Sequence, residues 1–214
     1  ETEPNVLVAD GTSVATLTVR VHDANNNPVP TEAIRLSLAP PDNGVLSAVT
    51  NNQDGTYTAR YISGGRAGTA TITATTSNNV SGSGQVNLTA GPSVSVQVEV
   101  EPDVLIADGT ATAALTVRVQ DVNDNLVPNE VIRLSLDPAG NGILSAVTNN
   151  RDGTYTARYT SGRRAGRATI IATTSNNVSG SAQVILNPGP AELVQLEAEP
   201  GVLIADGTAT AALT

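Results

Sequence analysis

The chain contains no cysteine, phenylalanine, tryptophan, methionine or lysine, one histidine (His22), and four aromatic residues, Tyr57, Tyr61, Tyr155 and Tyr159. Each absence removes a class of chemistry. Without cysteine there is no disulfide framework, no thiol catalysis and no thiolate metal site. Without lysine there is no amine nucleophile and no Lys–Asn isopeptide cross-link. All eleven basic residues are arginine, set against twenty acidic ones, and the formal charge of −9 is opposite to the basic footprint of a nucleic-acid binder. No apolar run approaches the ~20 residues of a membrane-spanning helix. The core has to be made of Val, Ile, Leu and Ala, and with Thr abundant this composition suits strands.

What the chain does have is a repeat. VLVADGTSVATLTVRVHD opens at Val6, VLIADGTATAALTVRVQD at Val104, and VLIADGTATAALT at Val202. Asp10, Asp108 and Asp206 share one motif position, so the period is 98 residues in both intervals (108 − 10 and 206 − 108). Aligned at that period, residues 1–98 match residues 99–196 at 69 of 98 positions. Two copies this similar should share any catalytic group, yet His22 is replaced by Gln120 in the second. With nucleophiles and bases so scarce, the sequence argues against an enzyme. His22 reads as an exposed residue at a strand end.

A repeat of this length can bury one modest core. In the second copy, Ser93 to Val100 alternates Val94, Val96, Val98 and Val100, the period of a half-buried strand. VLIADGT then turns through Asp108-Gly109, as does its counterpart through Asp10-Gly11. Ala113, Leu115, Val117 and Val119 share one face of the next strand, and DVNDNLVP is a turn-rich loop. Ile132, Leu134 and Leu136 face inward on a third strand. ILSAVT, TYTARY, Ala168 to Thr174 and Ala182 to Leu186 supply the rest. About seven short strands per repeat, with no helical period, predict an all-β fold: tandem antiparallel, Greek-key, Ig-like β-sandwiches. The expected division is 1–91 for a first domain lacking most of its opening strand, 92–189 for a complete second domain, and 190–214 for the opening strands of a third.

The ADGT turn, the strands TVRVHD and TVRVQD, the loops DANNNPVP and DVNDNLVP and the strand IRLSL resemble bacterial Ig-like domains of the invasin/intimin type. Asn26 and Asp124 stand where that family usually has glycine, and both residue types tolerate a left-handed turn position. The segments Asp54 to Tyr61 and Asp152 to Tyr159 also resemble filamin-type Ig repeats. There Asp54 and Asp152 would make the turn, and Tyr57 and Tyr155 a tyrosine corner. The resemblance implies tandem stalks of bacterial surface adhesins, an extracellular setting, and neighbouring Ig-like repeats as the first partners.

Calcium is the one cofactor that the residues suggest. Asp23, Asn25 and Asn27, repeated as Asp121, Asn123 and Asn125, spell D-x-N-x-N, like the first half of a calcium loop. The glycine at the sixth position and the glutamate at the twelfth are missing, and the same residues suffice for a plain turn. Glu99, Glu101 and Asp103, near the expected junction between domains, are a second cation candidate. Arg163, Arg164 and Arg167 form a basic loop that reads as a solvated face or a contact for an acidic partner. The triplets at Asn79, Asn87 and Asn177 match the glycosylation acceptor pattern, which such a composition produces by chance.

The expected function is a structural repeat of an adhesin stalk or fibre, spacing a distal binding domain from the cell surface. One alternative is a filament subunit, in which residues 190–214 of one copy complete the first domain of the next by strand donation. Another is a domain with its own receptor or glycan site.

Overall fold

Alternation along Thr112–Gln120 becomes a strand with Ala113, Leu115, Val117 and Val119 buried and Arg118 exposed. The same rule builds the whole chain in the computed structural model, which describes residues 1–214. The first sandwich comprises β1 (Thr2–Glu3), β2 (Val6–Val8), β3 (Val14–Arg20), β4 (Arg35–Ala39), β5 (Gly44–Leu46), β6 (Thr50–Asn51), β7 (Thr56–Ser63), β8 (Gly68–Thr75) and β9 (Ser81–Thr89). The second comprises β10 (Ser95–Glu101), β11 (Val104–Ile106), β12 (Thr112–Gln120), β13 (Arg133–Asp137), β14 (Gly142–Leu144), β15 (Thr148–Asn149), β16 (Thr154–Ser161), β17 (Gly166–Thr173) and β18 (Ser179–Asn187). A last pair, β19 (Ala198–Glu199) and β20 (Ala212–Leu213), follows.

In the second sandwich one sheet runs β10-β12-β16-β14 with β15 also on β16, and the other runs β11-β18-β17-β13. The first sandwich repeats this as β1-β3-β7-β5 with β6, facing β2-β9-β8-β4. All-β sandwich architecture is therefore as the sequence predicts, with three differences. VLI is not merely the approach to a turn: β11 crosses to the second sheet and lies parallel to β18, Leu105 opposite Leu186, as β2 lies beside β9. The sandwich is thus not purely antiparallel. Pro102, lacking an N–H, ends the pairing of β10 and lets the strand change sheets. ILSAVT divides into β14 and β15, so nine short segments stand where about seven strands were expected. Of the four alternating valines, Val94 is 53% exposed and precedes the strand, whereas Val96 is buried.

Register recurs with the sequence period. Thr2 pairs with Leu17, Val100 with Leu115 and Ala198 with Leu213. What differs is how much of the opening strand is present. In the second sandwich β10 pairs over its whole length, and Val96 joins Val117, Val119, Tyr155 and Ala172 in a separate part of the core. In the first, β1 spans two residues, and Val19 and Ala74, the counterparts of Val117 and Ala172, are only half-buried. A groove of about 420 Å³ lies there, lined by Leu17, Val19, Leu36, Ile72 and Gly82 among others. A Cβ at Gly180 would overlap the carbonyl oxygen of Val96, whereas one at Gly82 would meet nothing within 4 Å. The groove is the seat that β10 fills in the second sandwich.

Candidate functional site at the junction between repeats

The site is assembled from the loop that follows β12. Asp121 closes it on itself: Oδ1 accepts the amides of Asn123 and Asn125, both at 2.9 Å, and Oδ2 accepts the Asn125 side-chain amide at 3.0 Å. Asp124 takes the left-handed conformation (φ 62°) that the turn needs. Such side-chain-to-backbone bonds are local, which is why Asp and Asn at this spacing specify the turn.

Four further bonds leave the loop and cross to the first sandwich and the linker. Asn123 Nδ2 donates to the Ala9 carbonyl at 2.9 Å. Asn125 Nδ2 donates to the Gly65 carbonyl at 2.8 Å, and Asn125 Oδ1 accepts the Ala67 amide at 2.7 Å. Asp121 Oδ2 accepts the Gly91 amide at 2.8 Å. Asp121 is 2% and Asn125 8% exposed. Burial pushes the Asp121 carboxyl up, but its bonds with Asn125, Gly91 and Asn123 outweigh that and hold it below the usual carboxylate range. Every group contributed by the first sandwich and the linker is main chain.

The receiving surface is held from beneath. Gly64 packs directly on Asn43, where a Cβ would lie 2.6 Å from Asn43 Oδ1, and the Tyr61 hydroxyl donates to the Asn43 carbonyl at 2.6 Å. Behind the linker, Ser93 Oγ lies 2.9 Å from both Glu130 Oε2 and Asn176 Oδ1, while Asn176 Nδ2 donates to the Ser93 carbonyl. Glu130 Oε1 also takes the amide and hydroxyl of Ser175. This clasp pins the start of the second sandwich next to the junction.

In the first repeat, the loop Asp23–Asn27 has the same internal wiring and no partner sandwich. Asp23 Oδ1 accepts the Asn25 and Asn27 amides at 2.9 and 2.8 Å, and Oδ2 accepts Asn27 Nδ2 at 2.9 Å. Asn26 is left-handed (φ 66°) and the loop is exposed. For calcium the two loops differ. In both, the carboxylate is turned to N–H donors, and in the docked loop Asn125 Oδ1 is engaged by Ala67, so a cation would have to displace these bonds.

The remaining sequence candidates lie elsewhere. Asp10 and Asp108 shape the ADGT turns, Asp10 accepting the Thr12 and Ser13 amides and Asp108 those of Thr110 and Ala111, with Gly11 and Gly109 at φ 77° and 82°. These bonds hold Asp108 down at about 2. Asp54 and Asp152 accept the amides of Thr56 and Thr154. Tyr57 and Tyr155 sit at the start of the strand before the expected corner. Tyr155 donates to Val127 O and accepts from Glu130 N, closing a loop 28 residues upstream where a tyrosine corner reaches back only a few. Tyr57 does the same with Val29 and Glu32. Glu99, Glu101 and Asp103 are exposed on and beyond β10 and lie apart from the junction contacts. Arg163 lies across Gly109, and His22 is exposed. Sequence reading missed Ala9, Gly65, Ala67 and Gly91 because they act through main-chain atoms, and Glu130 because its partners are distant in sequence.

The family model for invasin, domain 3, matches residues 1–91 and again 93–189. A curated relative, the inverse autotransporter adhesin YeeJ of Escherichia coli (strain K12), is 26% identical over 215 residues, covering 96% of this chain. The chain spans 9% of that relative's length. InvD of Yersinia pseudotuberculosis superposes with a TM-score of 0.76 at 23% identity, over 94% of this chain and 62% of that one. FdeC, an Escherichia coli adhesin, superposes with a TM-score of 0.76 at 24% identity, over 92% and 66%. At such identities these structures speak to the fold.

Proposed function

The chain belongs to the invasin domain 3 family, and from that premise we propose that it is a run of rigid spacing units within the stalk of an extracellular bacterial adhesin. It acts at the cell surface and without catalysis. Its work is mechanical: each sandwich adds length, and each junction sets an angle and resists bending.

The observation that carries this reading is the clamp at Asp121, Asn123 and Asn125. Four hydrogen bonds at about 1 kcal/mol each favour the docked arrangement by ~4 kcal/mol, close to a thousandfold. Because the clamp grips only main-chain atoms, the side chains of successive repeats are free to drift while the joint keeps its shape. Residual dipolar couplings, or small-angle scattering, on the 214-residue chain test it. One alignment frame should fit both sandwiches, and Asn123→Ala with Asn125→Ala should separate the frames while each sandwich keeps its own spectrum. Independent tumbling of the unaltered sandwiches would sink the idea.

A second reading, strand donation between copies, is favoured by the groove of the first sandwich. Val194 and Leu196 align with Val96 and Val98 at the 98-residue period, and they are 89% and 73% exposed. The fit is incomplete. Ala191 stands where Ser93 does, so this segment brings no hydroxyl to Glu32, the counterpart of Glu130. Light scattering on the chain and on Val194→Asp/Leu196→Asp decides the matter. Concentration-dependent polymers that the substitutions abolish favour donation, and monomers in both retire it.

A further inference from the structure

The pairing of β2 with β9 sets how the first sandwich carries load. Val6, Leu7 and Val8 lie beside Asn87, Leu88 and Thr89, and the two strands run in the same direction. The chain therefore enters β2 at one end of the pair and leaves β9 at the other. Tension along a stalk slides the two strands past each other and loads every bond between them at once. An antiparallel hairpin pulled from its open end would part bond by bond instead. Two 2.8 Å bonds bound the pair, one from the Asn87 amide to the Asn5 carbonyl and one from the Ala9 amide to the Thr89 carbonyl. The Thr89 hydroxyl adds a bond to the Leu7 carbonyl at 3.2 Å. Leu7, Ala9 and Leu88 belong to the buried core, so slippage would open that core as well.

The loop of the second repeat grips both strands of this pair at one end. Ala9, which follows β2 directly, gives its carbonyl to Asn123 Nδ2, and Gly91, just beyond β9, gives its amide to Asp121 Oδ2. A Cβ on Gly91 would lie 3.5 Å from Asp121 Oδ2 and 3.7 Å from Val8 Cγ1, so the end of β2, the exit from β9 and the loop meet at one point. Asp121 and Asn123 are themselves joined, the Asn123 amide donating to Asp121 Oδ1 at 2.9 Å. The two strand ends are thus bridged by a single closed turn. For β2 to slide, it must shed Asn123 as well as β9.

We propose that the loop Asp121–Asn125 is a latch on the fold of the preceding sandwich: by bridging Ala9 and Gly91 it holds β2 and β9 in register, so that the second sandwich keeps the first one folded under tension. The proposal rests on the reading of the junction as a clamp, and adds that the clamp acts on the stability of the first sandwich as well as on its orientation. Forced unfolding is governed by the unfolding rate. A bond that has to break before the strands can slide slows that step directly. The coupling is reciprocal, because whatever the loop contributes to the folded β2–β9 pair, the pair contributes to the docked loop. The latch stands where load passes from one sandwich to the next, and it grips only main-chain atoms.

The test is amide hydrogen exchange on the full chain at neutral pH, unaltered and as Asn123→Ala and Asn123→Asp. Both variants lose the donor to Ala9, the second with the side-chain size kept. Neither touches the bond inside the loop, which uses the Asn123 main chain. The Ala9 and Asn87 amides should both exchange about fivefold faster, the equivalent of one lost hydrogen bond. Asn87 is the telling position, because its partner Asn5 lies at the opposite end of the pair, ~13 Å along β2 from Ala9. The Ile185 and Ala107 amides, which hold the same places between β11 and β18, should be unchanged. The proposal is overturned by exchange that does not change, by a change at Ala9 alone, or by an equal rise in both sandwiches. Each of these leaves the clamp itself standing, because that is read separately from the alignment frames of the unaltered chain.

Discussion

Asn125 of the second repeat and Gly65 of the first lie 60 residues apart in sequence and are joined by a 2.8 Å hydrogen bond from side-chain amide to carbonyl. The same side chain accepts the Ala67 amide and donates to Asp121. One planar group thus fixes its own loop and the neighbouring sandwich together.

Asn125→Ala should therefore cost more than Asn27→Ala. It removes three bonds, and leaves the Ala67 amide unpaired beneath the loop, for about 1–3 kcal/mol. Asn27→Ala removes only the contacts within an exposed loop and should cost under ~1 kcal/mol. Urea denaturation of the two variants measures the difference; equal losses would mean that the crossing bonds contribute nothing.

The junction should be acid-sensitive. The folded Asp121 carboxyl sits below its ordinary value, so its stabilisation is fully present above the unfolded value of about 4 and is lost as pH falls through the folded one. Protonation also replaces an acceptor lone pair with a proton facing N–H donors. Interdomain alignment should hold from neutral pH to about 5 and loosen below about 4. Asp121→Asn should loosen it at neutral pH, and an alignment indifferent to both changes would refute the assignment.

Gly180→Ala and Gly82→Ala make a matched pair. The first forces a methyl into the Val96 carbonyl and should displace β10, costing at least ~2 kcal/mol; the second enters open space. Hydrogen exchange along β10 and chemical denaturation report the first. The second doubles as a sensor: wherever a strand fills the first sandwich's groove, Gly82→Ala becomes damaging too.

Tyr155→Phe should cost about 1–3 kcal/mol, since Glu130 N and Val127 O both lose their partner. Tyr57→Phe should match it through Glu32 and Val29. The pair separates the hydroxyl's contribution from that of the ring, which stays buried in both variants.

Calcium addition or chelation should leave the melting temperature and the interdomain alignment unchanged, because the Asp23 and Asp121 carboxylates are turned to N–H donors. A calcium-dependent rise in melting temperature would show that these loops reorganise around a cation.

Everything short-range in this protein is written in the sequence. The ADGT turn is the clearest case: Asp206 accepts the Thr208 and Ala209 amides, with Gly207 left-handed, although only the opening of a third repeat surrounds it. Period-2 alternation places Leu115, Val117 and Val119 inside for an equally local reason, since successive side chains on a strand point to opposite faces. The 98-residue period, and with it the single shape shared by both repeats, needs no structure to be seen. What only the tertiary structure decided is what those local shapes meet. The D-x-N-x-N turn is the same in both repeats, yet Asn27 faces solvent and Asn125 closes a junction, because the atoms that distinguish them are main-chain groups of Ala9, Gly65, Ala67 and Gly91. Such groups are common to every residue and leave no mark in a sequence. The three residues of β11 likewise read as the approach to a turn, because a parallel pairing with β18 exists only once the last strand of the sandwich has arrived beside them.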